Sequence, residues 1–195
     1  MPDIGLYQAK YGLRQVLDGL PGIARLSPNA VSLSSLLPSA LAAYGVWQGE
    51  PWLIVVGVVG RMLLTTLDGL IAEGYAKKTR LGGFVNRVVG EIGDVMLYVA
   101  LAMVVEAPWG ALVLGLAWLV NMFGVLPLVS QGSLQSVGPA GPTDRIALIA
   151  IYAVATLTMP LSWTPLAQLL VALMGITLVL RALRTTRELG AQSVS

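Results

Sequence analysis

Six long apolar stretches constrain the fold of this chain more than any other feature of its sequence. They cover residues 29–48, 52–73, 83–105, 109–129, 144–160 and 164–183. Each has about 17 to 23 residues, close to the length that an α-helix needs to cross a bilayer. Only 11% of the residues are charged, against about 25% in average soluble domains. The sequence therefore predicts an all-α integral membrane protein with six transmembrane helices in a single membrane domain, residues 1–195.

Lysine and arginine residues collect on one side of this predicted bundle. They precede the first stretch, fill the link after the second, follow the fourth at Arg145 and follow the sixth, whereas the links after the first, third and fifth have none. Cytoplasmic links of membrane proteins carry such an excess of positive charge. The pattern predicts a multi-pass protein of the cell membrane, expected to be the bacterial inner membrane, with both termini in the cytoplasm. No cleavable signal peptide is apparent.

Residues 5–25 carry a different pattern. Leucine and valine recur there at helical spacing with polar residues between them, which predicts an amphipathic juxtamembrane helix. Such a helix fits a position in the membrane interface, and it fits equally well a position packed on the rest of the protein. The sequence leaves both arrangements open.

Cysteine and histidine are both missing from the chain. There is therefore no disulfide, no thiolate nucleophile and no imidazole base or ligand. A functional site here relies on carboxylates, amides, hydroxyls, lysine and arginine. Oxygen ligands of this kind suit Mg²⁺, Mn²⁺ and Ca²⁺.

The segment 65–94, where the second and third stretches meet, holds the candidate site. Three acids lie in or near its apolar helices: Asp68, Glu91 and Asp94. Ionisable side chains are costly inside a membrane and generally serve a function there. The short link makes the two helices antiparallel neighbours, and a rise of about 1.5 Å per residue puts Arg61 and Asp94 at about the same depth. The polar faces of the two helices are therefore expected to oppose each other.

This segment resembles the signature of the CDP-alcohol phosphatidyltransferases. The signature runs D-x-x-D-G-x-x-A-R-x8-G-x-x-x-D-x-x-x-D, and the chain reads T-x-x-D-G-x-x-A-E-x8-G-x-x-x-N-x-x-x-G over 65–90. The matching residues are Asp68, Gly69, Ala72 and Gly82. The resemblance implies a membrane transferase of phospholipid biosynthesis. Such an enzyme moves a phosphatidyl or related phosphoryl group from a CDP-linked donor to an alcohol and releases CMP.

The same resemblance implies the ligands and partners. The donor is expected to be CDP-diacylglycerol, the acceptor a small alcohol, the cofactor Mg²⁺ or Mn²⁺ and the assembly a homodimer in the lipid bilayer, with no nucleic acid. The implied nucleotide and phosphate ligands are Gly69, Ala72, Gly82, Lys77, Lys78 and Arg80. The three basic residues of this set also fit ordinary topology-setting charge at the inner leaflet.

Three of the four acidic positions of the signature are replaced in this chain. Thr65, Asn86 and Gly90 stand where the family has carboxylates that bind two divalent metals. The implied metal ligands are Asp68, Asn86 and Thr65. Threonine and asparagine offer neutral oxygens to a hard cation, so Asp68 alone contributes charge.

Asp94 and Glu91 are the candidates for the catalytic base. Each also has a structural interpretation. Arg61 and Asp94 at matched depth favour a buried ion pair, and Glu91 lies four residues after Arg87, a spacing that favours a helical ion pair. The sequence is compatible with both interpretations.

Two further functions remain as alternatives to the transferase. The first is a catalytically degenerate relative that keeps the fold and binds a lipid or a partner without turnover. The second is a small transporter or channel, which predicts interrupted helices and internal repeats. Neither feature is visible in the sequence.

Overall fold

A computed structural model of the protein describes residues 22–130, 132, 133, 136–159 and 161–192. In this part of the chain the regular structure is helical and contains no strand. The helices, with two short 3₁₀ turns at Ile23–Arg25 and Leu126–Ser130, are α1 (Pro28–Ser34), α2 (Leu36–Gln48), α3 (Pro51–Gly74), α4 (Arg80–Val104), α5 (Ala107–Val125), α6 (Pro142–Thr156) and α7 (Thr164–Gln192).

The first apolar stretch forms two helices instead of the one that was predicted. The chain turns at Ser35, between α1 and α2. Pro38 has no N–H to donate to the carbonyl of Ser34, so one helical hydrogen bond is missing there. The serine hydroxyls bond back to the preceding turn instead, Ser34 to the carbonyl of Val31 (2.8 Å) and Ser35 to that of Ser32 (2.6 Å). Such local side-chain bonds compete with the helix and bend it.

Several other helix ends in the structure differ from the approximate bounds of the predicted spans. α4 begins at Arg80 instead of residue 83, because the Thr79 side chain caps it by accepting from the amide of Gly82 (2.9 Å). α6 ends at Thr156 instead of residue 160, and α7 continues to Gln192 instead of ending at residue 183. Of the predicted juxtamembrane helix 5–25, residues 5–21 lie outside the described part, and its last residues form a 3₁₀ turn.

Four helical segments are long and apolar enough to cross a membrane: Pro28–Gln48, Pro51–Gly74, Ala107–Ser130 and Thr164–Ala191. α6 has 15 residues, which span about 22 Å, less than the ~30 Å of a bilayer core. α4 is long but carries charged residues along one face. The protein is therefore an all-α integral membrane protein, whereas six spans remain a prediction.

The packing of α2 against α3 fixes the position of the segment that carries Arg61. A Cβ at Gly57 would lie 2.5 Å from the carbonyl oxygen of Pro38 and 2.6 Å from the amide nitrogen of Ala42. Only glycine therefore permits this close contact of two helix backbones. Arg61 lies one turn further along α3, and its long side chain reaches Asp94 on α4. In the described part of the chain α2 packs closely against both α3 and α4, whereas the backbones of α3 and α4 are not close neighbours, contrary to the prediction.

Candidate functional site

An ion pair between α3 and α4 lies at the centre of the hairpin. Nη2 of Arg61 donates to Oδ1 of Asp94 over 2.5 Å and to the carbonyl oxygen of Gly90 over 2.8 Å. Arg61 is 7% exposed and Asp94 is 2% exposed. A Cβ at Gly93 would lie 3.1 Å from Cζ of Arg61, so this glycine lets the guanidinium lie against the backbone of α4. The pair compensates two charges that are each costly in an apolar interior.

Asp68, the carboxylate that matches the signature, faces α1. The hydroxyl of Ser32 donates to its Oδ2 over 2.5 Å, and Asp68 is buried. The hydroxyl of Thr65 donates to the carbonyl of Arg61 within its own helix, over 3.0 Å. The two predicted metal ligands on α3 are thus engaged in hydrogen bonds within the protein.

Glu91 forms an ion pair with one side chain and accepts a hydrogen bond from another. Nε of Arg87 lies 3.2 Å from its Oε1, and Nδ2 of Asn121 on α5 donates to its Oε2. Oδ1 of Asn121 in turn accepts from Nη2 of Arg145 on α6 over 2.8 Å. The guanidinium of Arg145 is fully buried and lies 5.3 Å from the centre of the Tyr98 ring, a cation–π distance. This network joins three helices, α4, α5 and α6.

A polar cavity of about 310 Å³ lies beside the Arg61–Asp94 pair. One face of α4 supplies most of its lining, at the spacing of residues on one side of a helix. Arg61 on α3 and Pro142 at the start of α6 complete the lining, to which α4 contributes Gly83, Asn86, Arg87, Gly90, Glu91 and Asp94. The cavity therefore joins both candidate bases and the predicted metal ligand Asn86.

An apolar groove of about 670 Å³ runs between α2 and α4. Tyr44 and Trp47 on α2 line one side, and Val95 and Met103 on α4 line the other. Glu91 lines both this groove and the polar cavity. A polar cavity that adjoins an apolar groove has the two surface types that an amphipathic ligand requires.

All six predicted nucleotide and phosphate ligands lie outside the lining of the cavity. Nζ of Lys77 donates to the carbonyl of Leu26 over 2.9 Å, and Nζ of Lys78 lies 3.4 Å from the Glu73 carboxylate. Arg80 is exposed at the start of α4. The residues outside the lining are Gly69, Ala72, Gly82, Lys77, Lys78 and Arg80.

The donor set does not fit the pair of divalent metals that the resemblance implies. Nowhere in the described ranges do three or more Asp or Glu side chains come together to hold a metal ion. Asp68 faces Ser32, and Asp94 faces Arg61. A divalent cation in the cavity would share it with the guanidinium of Arg61, and like charges at short range repel strongly at low dielectric.

Sequence reasoning missed three residues of this region: Ser32, Asn121 and Arg145. Asn121 is the one strongly polar side chain within the apolar stretch 109–129, and that isolation was an available signal. Arg145 was interpreted as topology-setting charge, but it is fully buried. The pairing of Ser32 with Asp68 depends on how α1 packs on α3, and no local pattern reveals it.

The fold is similar to that of a phosphatidylinositol phosphate synthase. The crystal structure of the Mycobacterium tuberculosis enzyme with CDP-DAG bound superposes with a TM-score of 0.71, over 89% of this chain and 93% of that one. The two sequences are 18% identical, so the likeness concerns the fold.

One curated protein also resembles this chain in sequence. The inner membrane protein YnbA of Escherichia coli (strain K12) is 28% identical over 130 residues, which make up 66% of this chain and 64% of that protein. The match thus covers less than two thirds of the relative's own length. No family model matches the chain.

Proposed function

We propose that this protein is a transferase of phospholipid biosynthesis. It moves a phosphatidyl or related phosphoryl group from a CDP-linked donor, CDP-diacylglycerol, to a small alcohol and releases CMP. The observation that carries this proposal is the polar cavity on the motif-bearing hairpin, within a fold shared with a CDP-DAG-bound synthase. The adjoining apolar groove suits the acyl part of a lipid-linked donor.

Glu91 is the proposed base of the reaction. Asp94 is held by Arg61, whereas the side chain of Glu91 is 33% exposed and lines the cavity. It takes the proton of the acceptor hydroxyl while that oxygen attacks the phosphorus of the phosphatidyl group. The bond from this phosphorus to the bridging oxygen breaks, and CMP leaves with the electron pair. Asn121 and Arg87 hold the carboxylate in place.

The location and assembly of the enzyme form part of the same proposal. We infer six spans in the bacterial inner membrane with both termini in the cytoplasm, which puts the link 75–79 on the cytoplasmic side, where the donor is available. A homodimer is the proposed assembly. Two observations support this placement. Basic residues are in excess in the links on one side of the bundle, and the chain resembles an inner membrane protein.

A second candidate function is binding of the CDP-linked lipid without turnover. The specific observation in its favour is that Asp68 and Asp94 are each bonded to a protein side chain. The described donor set also offers no cluster of carboxylates for a catalytic metal. Such a protein would retain the donor and release no CMP.

Release of CMP separates the two candidates. Purified protein in lipid nanodiscs is incubated with CDP-diacylglycerol and a panel of alcohols, with Mg²⁺, Mn²⁺ or EDTA, and CMP is measured by chromatography. The transferase releases CMP with at least one alcohol, and Glu91→Gln lowers the rate by about 100-fold or more, since general-base catalysis contributes about 10²–10⁴. Glu73→Gln, at an exposed site away from the cavity, is the matched control. Donor binding without CMP release supports the second candidate and contradicts the first.

A further inference from the structure

One N–H donor group of Arg61 has no hydrogen-bond partner in the part of the chain that the structure describes. Its Nη2 bonds to Asp94 and to the carbonyl of Gly90, whereas its Nη1 is buried and has no hydrogen-bond partner among the described residues. Leaving a buried charged donor unpaired is costly, and native structures generally provide a partner. The same residue lines the polar cavity. Because Nη1 has less than 1 Å² of accessible surface, a ligand in the cavity reaches this nitrogen only when the guanidinium turns toward the cavity.

Two glycines of α4, Gly83 and Gly90, line the cavity together with the carboxylates of Glu91 and Asp94. A Cβ added at Gly83 or Gly90 would meet no atom within 4 Å, so the space in front of both residues is open. Arg87, whose side chain is 50% exposed, brings a second guanidinium to the rim. Guanidinium groups bind phosphoryl oxygens through strong charge-assisted hydrogen bonds.

We propose that the cavity binds a phosphoryl group through Arg61, and that this binding requires no divalent metal. In this chain a guanidinium performs the charge neutralisation that the resemblance assigns to metal ions. Asp94, which also lines the cavity, fixes the guanidinium through Nη2, and a phosphoryl oxygen accepts from the remaining donors of the guanidinium. The identity of the ligand as a CDP-linked lipid rests on the proposed function, whereas the metal-free mode of binding does not.

Equilibrium binding with and without chelator tests this inference. Affinities of the purified protein in nanodiscs for CDP, CDP-diacylglycerol and phosphatidic acid are measured in EDTA and in Mg²⁺. We expect at least one of them to bind with affinities that agree within about threefold in the two buffers. The CDP and phosphatidic acid arms distinguish a nucleotide source of the phosphoryl group from a lipid source. Binding that disappears in EDTA overturns the proposal, as does a failure of all three ligands to bind.

Two kinds of variant connect the binding to this cavity. Gly90→Ala adds a methyl group in open space and should weaken binding by about fivefold or more, while thermal stability stays equal or rises, since alanine favours a helix over glycine. Gly115→Ala on α5, also in open space, is the matched control and should leave the affinity unchanged. Replacing Arg61 and Asp94 together by leucine should weaken binding by at least about tenfold, the loss of one charge-assisted hydrogen bond. Unchanged affinity in both Gly90→Ala and the double variant refutes the assignment.

The outcomes separate this inference from the proposed function. CMP release that requires Mg²⁺, with no binding in EDTA, supports the transferase and overturns the guanidinium site. Metal-independent binding without CMP release supports the guanidinium site and contradicts the transferase.

Discussion

Removing either partner of the Arg61–Asp94 ion pair should destabilise the protein strongly, and removing both should not. The contact joins Nη2 and Oδ1 over 2.5 Å, and the two side chains are 8% and 3% exposed. Losing one partner leaves an uncompensated charge in a buried position, which costs about 3–5 kcal/mol. At about 2–4 °C per kcal/mol for a chain of this size, each single leucine variant should melt about 6–20 °C lower.

The double variant Arg61→Leu with Asp94→Leu removes both charges at once. Replacing a buried ion pair by apolar residues is often neutral or stabilising, so this variant should melt close to the unchanged protein. Thermal unfolding in detergent, followed by circular dichroism, measures all three. Lys78→Ala is the control, because the Lys78–Glu73 pair is 3.4 Å long with side chains 75% and 50% exposed, and exposed pairs contribute at most about 1 kcal/mol.

Two results of these melting experiments would contradict the coupling of Arg61 and Asp94. If both single variants melt at the same temperature as the unchanged protein, the ion pair does not stabilise the fold. A double variant that loses the full sum of the two single losses shows that the side chains are not coupled.

Two further changes test other parts of the structure in the same melting assay. Gly57→Ala places a carbon 2.5 Å from a backbone oxygen of α2, so it should prevent folding or lower the melting temperature sharply. Gly60→Ala should have a milder effect, because the nearest neighbour of the added carbon is a side-chain carbon at 3.2 Å. Equal effects of the two variants would contradict the close packing of α2 on α3. Asn121→Leu removes the bonds to Glu91 and Arg145 and should cost about 1–3 kcal/mol, so melting like the unchanged protein would show that the network does not contribute to stability.

The apolar stretches predicted where the helices lie, because helices that cross a membrane consist mainly of apolar residues. Helix ends were harder to predict. α7 continues nine residues past residue 183, since a helix ends where its backbone hydrogen bonds end and not where its apolar residues end. Ser35 interrupts the first stretch through serine hydroxyls and a proline, whose combined effect is weak in a hydropathy pattern.

In the candidate site, the contact between Arg61 and Asp94 could be predicted from the sequence, whereas the partners of Asp68 and Glu91 could not. The helical rise gives the depth of each residue in the membrane, and matched depths alone predicted that Arg61 and Asp94 meet. In the structure Nη2 of Arg61 lies 2.5 Å from Oδ1 of Asp94. The partner of Asp68 comes from α1, and the partner of Glu91 comes from α5. Contacts between helices distant in sequence depend on their packing, so a single chain's periodicity cannot supply them.

The charge on α4 also affects how the chain enters the membrane. An aspartate or arginine at the centre of an isolated transmembrane helix costs about 2.5–3.5 kcal/mol on insertion scales. Five residues, 75–79, separate α3 from α4, so the two helices leave the ribosome almost together. In a six-span topology the ion pair between Arg61 and Asp94 offsets part of this cost for both helices. We therefore expect α3 and α4 to insert into the membrane more readily together than either helix does alone.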